Sequence, residues 1–405
     1  MRVLWLCNIV LPEFADEFGF KKHPFGGWMS GLLENIKDQV ELGLCFPIHD
    51  VSRMKDGNLN GVKYYSYHDE NRLEPDEEQQ HRFSEIIGDF RPDVIHLWGT
   101  EYLHSYNMVM AAEKWGLLSH VAVHIQGLVS LYARKYLSGI DMDIVNASGL
   151  NDMVEGRREF EVKGKYEKAV LKKVRYADGN SDWADAAVHA QNPGCKFSYI
   201  SEVLRKEFYQ QKGTWSYDKC KPHLIMVSQA SYPIKGFHYL VKALEIVKRD
   251  YPDTKVVVAG NDPSNNDYGK YLQLITRKDI GDIIEFVGEQ DADQMINLYR
   301  EANVFVSAST IENTSNSIGE AMMIGTPVVA SDVGGTNSLI RHKESGFLLP
   351  EQEIEMLAFY IERCFIGSDE INQLSREEVR KALIANNKEK AWKDTLSTYK
   401  NICDQ

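Results

Sequence analysis

Short unbroken apolar runs alternate along the chain with longer stretches in which apolar side chains return every three or four positions. In the first half, residues 2–11 ("RVLWLCNIVL") predict a strand and residues 26–38 ("GGWMSGLLENIKD") a helix. "VELGLCFPI", "PDVIHLWG" and "HVAVHIQG" predict further strands. The rhythm restarts after residue 222: "HLIMVSQA" is a strand, "GFHYLVKALEIVKRDYP" a helix and "KVVVAGND" a strand. "IIEFVGE", "VFVSAS" and "PVVASDVGG" continue it, with the helical "DQMINLYREA" among them. Two such series predict an α/β chain of two Rossmann-like, doubly wound parallel-sheet domains facing each other across a cleft. The break is expected within residues 200–222, which are polar and aromatic without clean periodicity. The expected domains are therefore 1–204 and 205–385. Residues 386–405 form an amphipathic helix, with Trp392, Leu396, Tyr399 and Ile402 at helical spacing, that docks back on the first domain.

Composition narrows the functional classes. A chain of 405 residues suits two or three domains of about 150 residues each. Its net charge of −13 argues against nucleic acid as a partner, since that needs a basic face. The six cysteines, at 7, 45, 195, 220, 364 and 403, show no metal-ligand spacing and read as reduced, mostly structural thiols. The apolar start is too short for a membrane span and lacks a small-residue cleavage site, so a cytoplasmic location is expected. Residues 155–178 are basic and amphipathic, which would suit peripheral contact with anionic lipid at the membrane inner face. The interleaved Glu155, Glu159, Glu161 and Glu167 weigh toward an ordinary solvated helix face. The aspartate pairs at 141–143 and 291–293 have nothing to place them near a site, and no metal is expected. Neither a phosphate-binding P-loop nor a G-x-G-x-x-G fingerprint is present, which counts against a nicotinamide-dependent oxidoreductase.

The chemistry concentrates in "STIENTSNSIGEAMMIGTPVVASDVGG", residues 309–335. A strand, a polar loop and a short helix closed by Gly325 and Pro327 follow one another there. The loop brings backbone N–H groups to a helix N-terminus, where donors and dipole together stabilise a phosphate. Glu312 and Glu320 flank the loop, and a carboxylate is a strong acceptor for sugar hydroxyls. Glu320 has a second reading, because Ser317-x-x-Glu320 fits a capping box that would merely tie down the helix start. Lys235, after the strand "HLIMVSQA", could neutralise a leaving diphosphate, or be a plain loop lysine. Gly26 and Gly27 would let backbone approach a ligand, or form a simple turn. His124, ending "VAVH", reads from local sequence as structural, as does His96, and Arg134 and Lys135 read as solvated.

"E-x7-E" followed by "AMMIGTPVVASDVGG" and "SGFLLP" resembles the donor-site signature of glycosyltransferase family 4, the retaining sugar-nucleotide transferases of GT-B fold. Weaker echoes are "PFGGWMSGLLENI", "PDVIHLWG", "VAVHIQG", "PIKGFHYLVKAL" and "AWKDTLSTYKNI". The resemblance implies that Glu320 binds the ribose and that Glu312 lies against the transferred sugar. It implies that Thr314, Asn316, Ser317 and Ile318 hold the diphosphate, with Gly26 and Gly27 facing it. It moves His124 to the donor-sugar pocket and Lys235 to the leaving group. The implied donor is a UDP- or GDP-linked sugar, with no other cofactor, and the acceptor is a carbohydrate or a lipid-linked sugar. Retention, independence of metal and a place in cell-surface polysaccharide or glycolipid synthesis come with the family. One departure stands out: the family commonly has an arginine five residues before the lysine, and this chain has Ala230. A nucleotide-sugar hydrolase or epimerase on the same scaffold, and a non-catalytic nucleotide-sugar-binding relative, remain as alternatives.

Overall fold

The computed structural model describes residues 1–21 and 27–404. The chain divides into two compact units, one of Met1–Ala133, Glu159–Val203 and Asn387–Gln405, the other of Arg134–Arg158 and Leu204–Asn386. Where the sequence reading drew one unbroken domain over 1–204, residues Arg134–Arg158 pack with the second unit. Side chains from that stretch, Ile140, Val145, Leu150 and Met153, belong to the second unit's core. Their apolar spacing reports that they are buried but not against which sheet, so sequence periodicity could not assign them.

The first unit is built on β1 (Arg2–Leu6), β2 (Glu41–Ile48), β3 (Gly57–Leu59), β4 (Val62–His68), β5 (Val94–Trp98), β6 (Val121–His124), β7 (Tyr176–Gly179) and β8 (Lys196–Tyr199). They lie in the order β3-β4-β2-β1-β5-β6-β7-β8. All neighbours are parallel except β3 and β4, an antiparallel hairpin turned by Asn60 and Gly61. That Asn-Gly pair is a strong hairpin signal in the sequence. Alternate residues of β1 enter opposite faces: Leu4 and Leu6 join one core, Val3, Trp5 and Cys7 the other. The second face is closed by the helix Lys388–Cys403, whose Tyr399 and Ile402 are buried in it and whose Trp392 and Leu396 pack at its margin.

The second unit holds β9 (Leu224–Val227), β10 (Lys255–Ala259), β11 (Ile284–Gly288), β12 (Val304–Ser307), β13 (Val328–Ser331) and β14 (Phe347–Leu349). Their order is β11-β10-β9-β12-β13-β14, all parallel. Every residue of β9 and β13 is buried, as expected for strands covered on both faces. The chain order reverses between β9 and β12, and in an open parallel sheet the crevice at that switch point, beyond the carboxyl ends of the strands, is where ligands bind. The first unit reverses in the same way between β1 and β5.

The helix Asn151–Lys173 covers most of the basic stretch 155–178. Its exposed Glu155, Glu159 and Glu161 fit a solvated face, but Glu167 does not. Glu167 is 1% exposed and accepts from the backbone N–H groups of Val129 (2.6 Å) and Ser130 (3.2 Å). It closes the start of another helix, Val129–Lys135, a tertiary use that helical spacing does not reveal. Among the described residues no helix is long and apolar enough to cross a membrane.

Candidate donor-binding site

In the second unit, three segments far apart in sequence converge at the switch point. The loop after β12 begins at Ala308, and Gly236 lies so close to it that a Cβ there would meet the Ala308 carbonyl at 1.8 Å. Gly334 likewise sits against Glu312, where a Cβ would meet its carbonyl at 1.8 Å, at a φ of +55°. The N–H of Gly335 donates to that same carbonyl at 3.0 Å, and Thr310 N–H donates to the carbonyl of Ile234 at 2.8 Å. Two glycines thus let the lysine-glycine turn and the "DVGG" turn clasp the loop that carries Glu312.

The clasp sets the side chains. Lys235 closes the 3-10 turn Pro233–Lys235, and its Nζ donates to Glu312 Oε1 at 2.5 Å. The hydroxyl of Ser309 donates to the same oxygen at 2.9 Å. Burial alone would lower the pKa of Lys235, but Glu312 and Tyr232 beside it hold the ammonium well above its ordinary range. Glu312 is 9% exposed. The two residues assigned to sugar and leaving group therefore meet as one ion pair.

The helix Asn316–Ile324 starts at the loop's far end, with Ser315 as a cap residue whose side chain makes no capping bond. Asn316, Ser317 and Ile318 are its leading residues, so their N–H groups precede the first intrahelical acceptors. Ser317 Oγ lies 2.9 Å from both Ser228 Oγ and Ser315 Oγ, tying the loop after β9 to the helix start. Tyr299 donates to the Ser317 carbonyl at 3.2 Å. Thr314 precedes this turn in the same loop.

Glu320 is not part of a capping box. The cap residue is Ser315, and Glu320 lies within the helix, 6% exposed, with its carboxylate on Arg205. Arg205 Nε donates to Oε1 at 2.8 Å and Nη2 to Oε2 at 2.9 Å. Ala230 is fully buried and adds no cation. Lys135, in the same unit, pairs with Glu351 at 2.7 Å. Asp141 and Asp291 are helix caps, receiving Asp143 and Ile144 N–H and Gln294 N–H respectively.

Of the remaining candidates, Gly27 and His124 lie in the first unit. Gly26 is outside the described residues, and Gly27 opens the helix Gly27–Ile36. The next residue, Trp28, stacks on the His124 ring at 5.6 Å between centroids. His124 ends β6, buried between two carboxylates: Nδ1 to Asp178 Oδ1 at 2.5 Å and Nε2 to Glu202 Oε1 at 3.3 Å. Burial alone would push its pKa down, yet the hydrogen bonds and charges of Asp178 and Glu202 lift it to about 10. Asp178 is driven the other way, to about 2, because His96 and His124 outweigh its burial. His96 continues the chain with Nε2 3.1 Å from Asp178 Oδ2 and Nδ1 2.7 Å from the Tyr399 hydroxyl, and Trp5 Nε1 donates to that hydroxyl at 2.8 Å. His96, His124 and Asp178 are the described group with ligand atoms within 4.8 Å of one another. Both oxygens of Asp178 already face an imidazole, and the set serves as an ion-paired brace. Burial also lifts Glu101, after β5, to about 7.

Sequence reasoning missed Arg205, Asp178 and Glu202. Arg205 and Glu202 fall in the stretch read as linker, and Asp178 lies at the end of the basic stretch. No local pattern marks any of them, since their partners are 115, 78 and 54 residues away.

Residues 210–390 match the family described as glycosyl transferases group 1. The chain is 29% identical over 150 residues to a putative glycosyltransferase, YtcC, of Bacillus subtilis, covering 36% of this chain and 37% of the relative. It is 27% identical over 153 residues to a D-inositol 3-phosphate glycosyltransferase of Jonesia denitrificans, covering 37% and 36%. The matched stretch thus spans little more than a third of these relatives' own length. Among solved structures, the sucrose-phosphate synthase of Thermosynechococcus elongatus superposes with a TM-score of 0.70 at 17% identity over 99% of both chains. Alr3699/HepE of Anabaena, solved in complex with UDP-glucose, gives 0.67 at 16% identity over 99% of this chain and 100% of that one. The chain therefore has the GT-B fold, and its residues 210–390 are similar to the group 1 glycosyl transferases.

Proposed function

We propose that the protein is a retaining glycosyltransferase of family 4 that moves a sugar from a nucleoside diphosphate to a hydroxyl of a carbohydrate or lipid-linked acceptor. One observation carries this reading: the loop 308–316, at the switch point, holds the Glu312–Lys235 pair at one end and the uncapped N-terminus of the 316–324 helix at the other. A diphosphate on the Asn316, Ser317 and Ile318 amides would gain both direct donors and the positive end of the helix. When the bond from the sugar to that diphosphate breaks, negative charge grows on the leaving oxygens. Lys235 and the helix start are pre-placed to stabilise it, which is the usual large electrostatic contribution to such a step. Glu312 holds the Lys235 ammonium in place and orients the sugar through its hydroxyls. The cellular setting that goes with this reading is polysaccharide or glycolipid synthesis on the cytoplasmic side of a membrane.

Ala230 favours a second reading, a protein that binds nucleotide sugars without turning them over, because Lys235 is the cation at the leaving group and is already paired. Incubating nucleotide sugars with a panel of acceptors decides between the two. Release of nucleoside diphosphate that depends on the acceptor supports the transferase. Release without acceptor indicates a hydrolase, and tight binding without release indicates the binding protein.

A further inference from the structure

We propose that Arg205 is a positioning residue that turns the Glu320 carboxylate so that its remaining lone pairs meet the two hydroxyls of a nucleotide ribose. This rests on the donor-loop reading above. Glu320 lies about one helical turn, ~5.4 Å, beyond the leading amides of the 316–324 helix. That is the order of the separation between a ribose diol and its own 5′-phosphate, so one nucleotide can engage both.

A ribose diol brings two donors and needs acceptors. A carboxylate has about four acceptor sites, whereas a protonated carboxyl gives up part of that capacity and presents an O–H instead. Burial drives Glu320 toward the protonated form, and Arg205 opposes it. The two nitrogens of Arg205 contact one oxygen each, a two-pronged geometry that fixes the carboxylate plane and leaves acceptor sites on both oxygens. Arg205 is itself held: its guanidinium lies 4.9 Å from the centroid of Phe208, and its side chain is 17% exposed. It stands at the N-cap position of the helix Lys206–Gln210 without a capping bond. Among the described residues, the other titratable groups facing the pair are Tyr299, whose hydroxyl burial keeps neutral, and Glu207 on the side of Arg205. Neither supplies a second cation for Glu320.

The test uses the full chain and calorimetric binding of UDP, GDP and their 2′-deoxy forms from pH 5.5 to 8.5. Wild type should prefer the ribose form of its nucleotide by about tenfold, the value of a hydrogen bond to a charged group. Arg205→Met should weaken that preference most at the acid end of the range and regain part of it as pH rises and Glu320 ionises. Arg205→Lys keeps the charge but not the fork, so its preference should fall about threefold with no pH dependence. A folded Arg205→Met with wild-type preference at every pH overturns the inference. So does an Arg205→Lys indistinguishable from wild type, should the methionine variant fail to fold. Glu320→Gln separates the two levels: if it abolishes the preference while the Arg205 variants keep it, only the role of Arg205 is lost. If wild type shows no preference and Glu320→Gln binds unchanged, the ribose assignment itself is wrong.

Discussion

Lys235 and Glu312 come from opposite sides of the switch point, and each makes the other useful. Without Glu312 the lysine would be a buried cation with no fixed position; without Lys235 the carboxylate would be a buried anion with no counter-charge. Glu312→Gln keeps the size and a hydrogen bond but removes the charge. Its turnover should fall by roughly a hundredfold, the scale for losing one pre-placed electrostatic group. Nucleoside diphosphate affinity, measured separately by calorimetry, should change far less. Gly334→Ala tests the clasp instead of the chemistry. A methyl at that φ would strike the Glu312 carbonyl, so stability should drop by about 1–3 kcal/mol in urea unfolding. A variant as stable as wild type would mean that the turn can shift without consequence.

At the scale of elements, the brace in the first unit joins β5, β6 and β7 to the C-terminal helix through His96, His124, Asp178 and Tyr399. Tyr399→Phe leaves Trp5 Nε1 and His96 Nδ1 buried without that hydroxyl, at a cost of about 1–3 kcal/mol. The same brace makes stability depend on pH. His124 is raised from 6.5 to about 10, so its contribution is complete below pH 6.5 and is lost as pH climbs toward 10. Asp178 is lowered from 3.8 to about 2, so its contribution is complete above pH 3.8 and is lost as pH falls toward 2. Glu101 and Glu167, raised from 4.5 to about 7, add to the loss on the rising side between those values. The urea midpoint should therefore decline from about pH 4.5 to 10, and Asp178→Asn should flatten the part above pH 6.5, which His124 governs. An unchanged slope in Asp178→Asn would show that other groups govern it.

For the whole molecule, a bound donor stabilises the folded state by mass action, by about 2.7 kcal/mol at a concentration of one hundred Kd. A thermal-shift panel of nucleoside diphosphates should single out one base. Hydrogen exchange on the same complex should slow in the loops after β9 and β12 and at the start of the 316–324 helix. Slowing confined to other parts of the chain would place the nucleotide elsewhere.

The alternation of apolar runs by itself determined the two-sheet α/β architecture, because a parallel strand covered on both faces must be apolar throughout and its crossover helix must be amphipathic. The strand–polar loop–helix pattern of 304–324 likewise located the candidate anion site, since a helix start and its loop are local in the chain. Local pattern stops at pairing. The Arg205 fork on Glu320, the seat of His124 between Asp178 and Glu202, the burial of Glu167 and the transfer of Arg134–Arg158 to the second unit were decided by tertiary structure alone. Each depends on which distant side chain arrives at a buried charge or apolar face, and that choice leaves no periodic trace in the sequence.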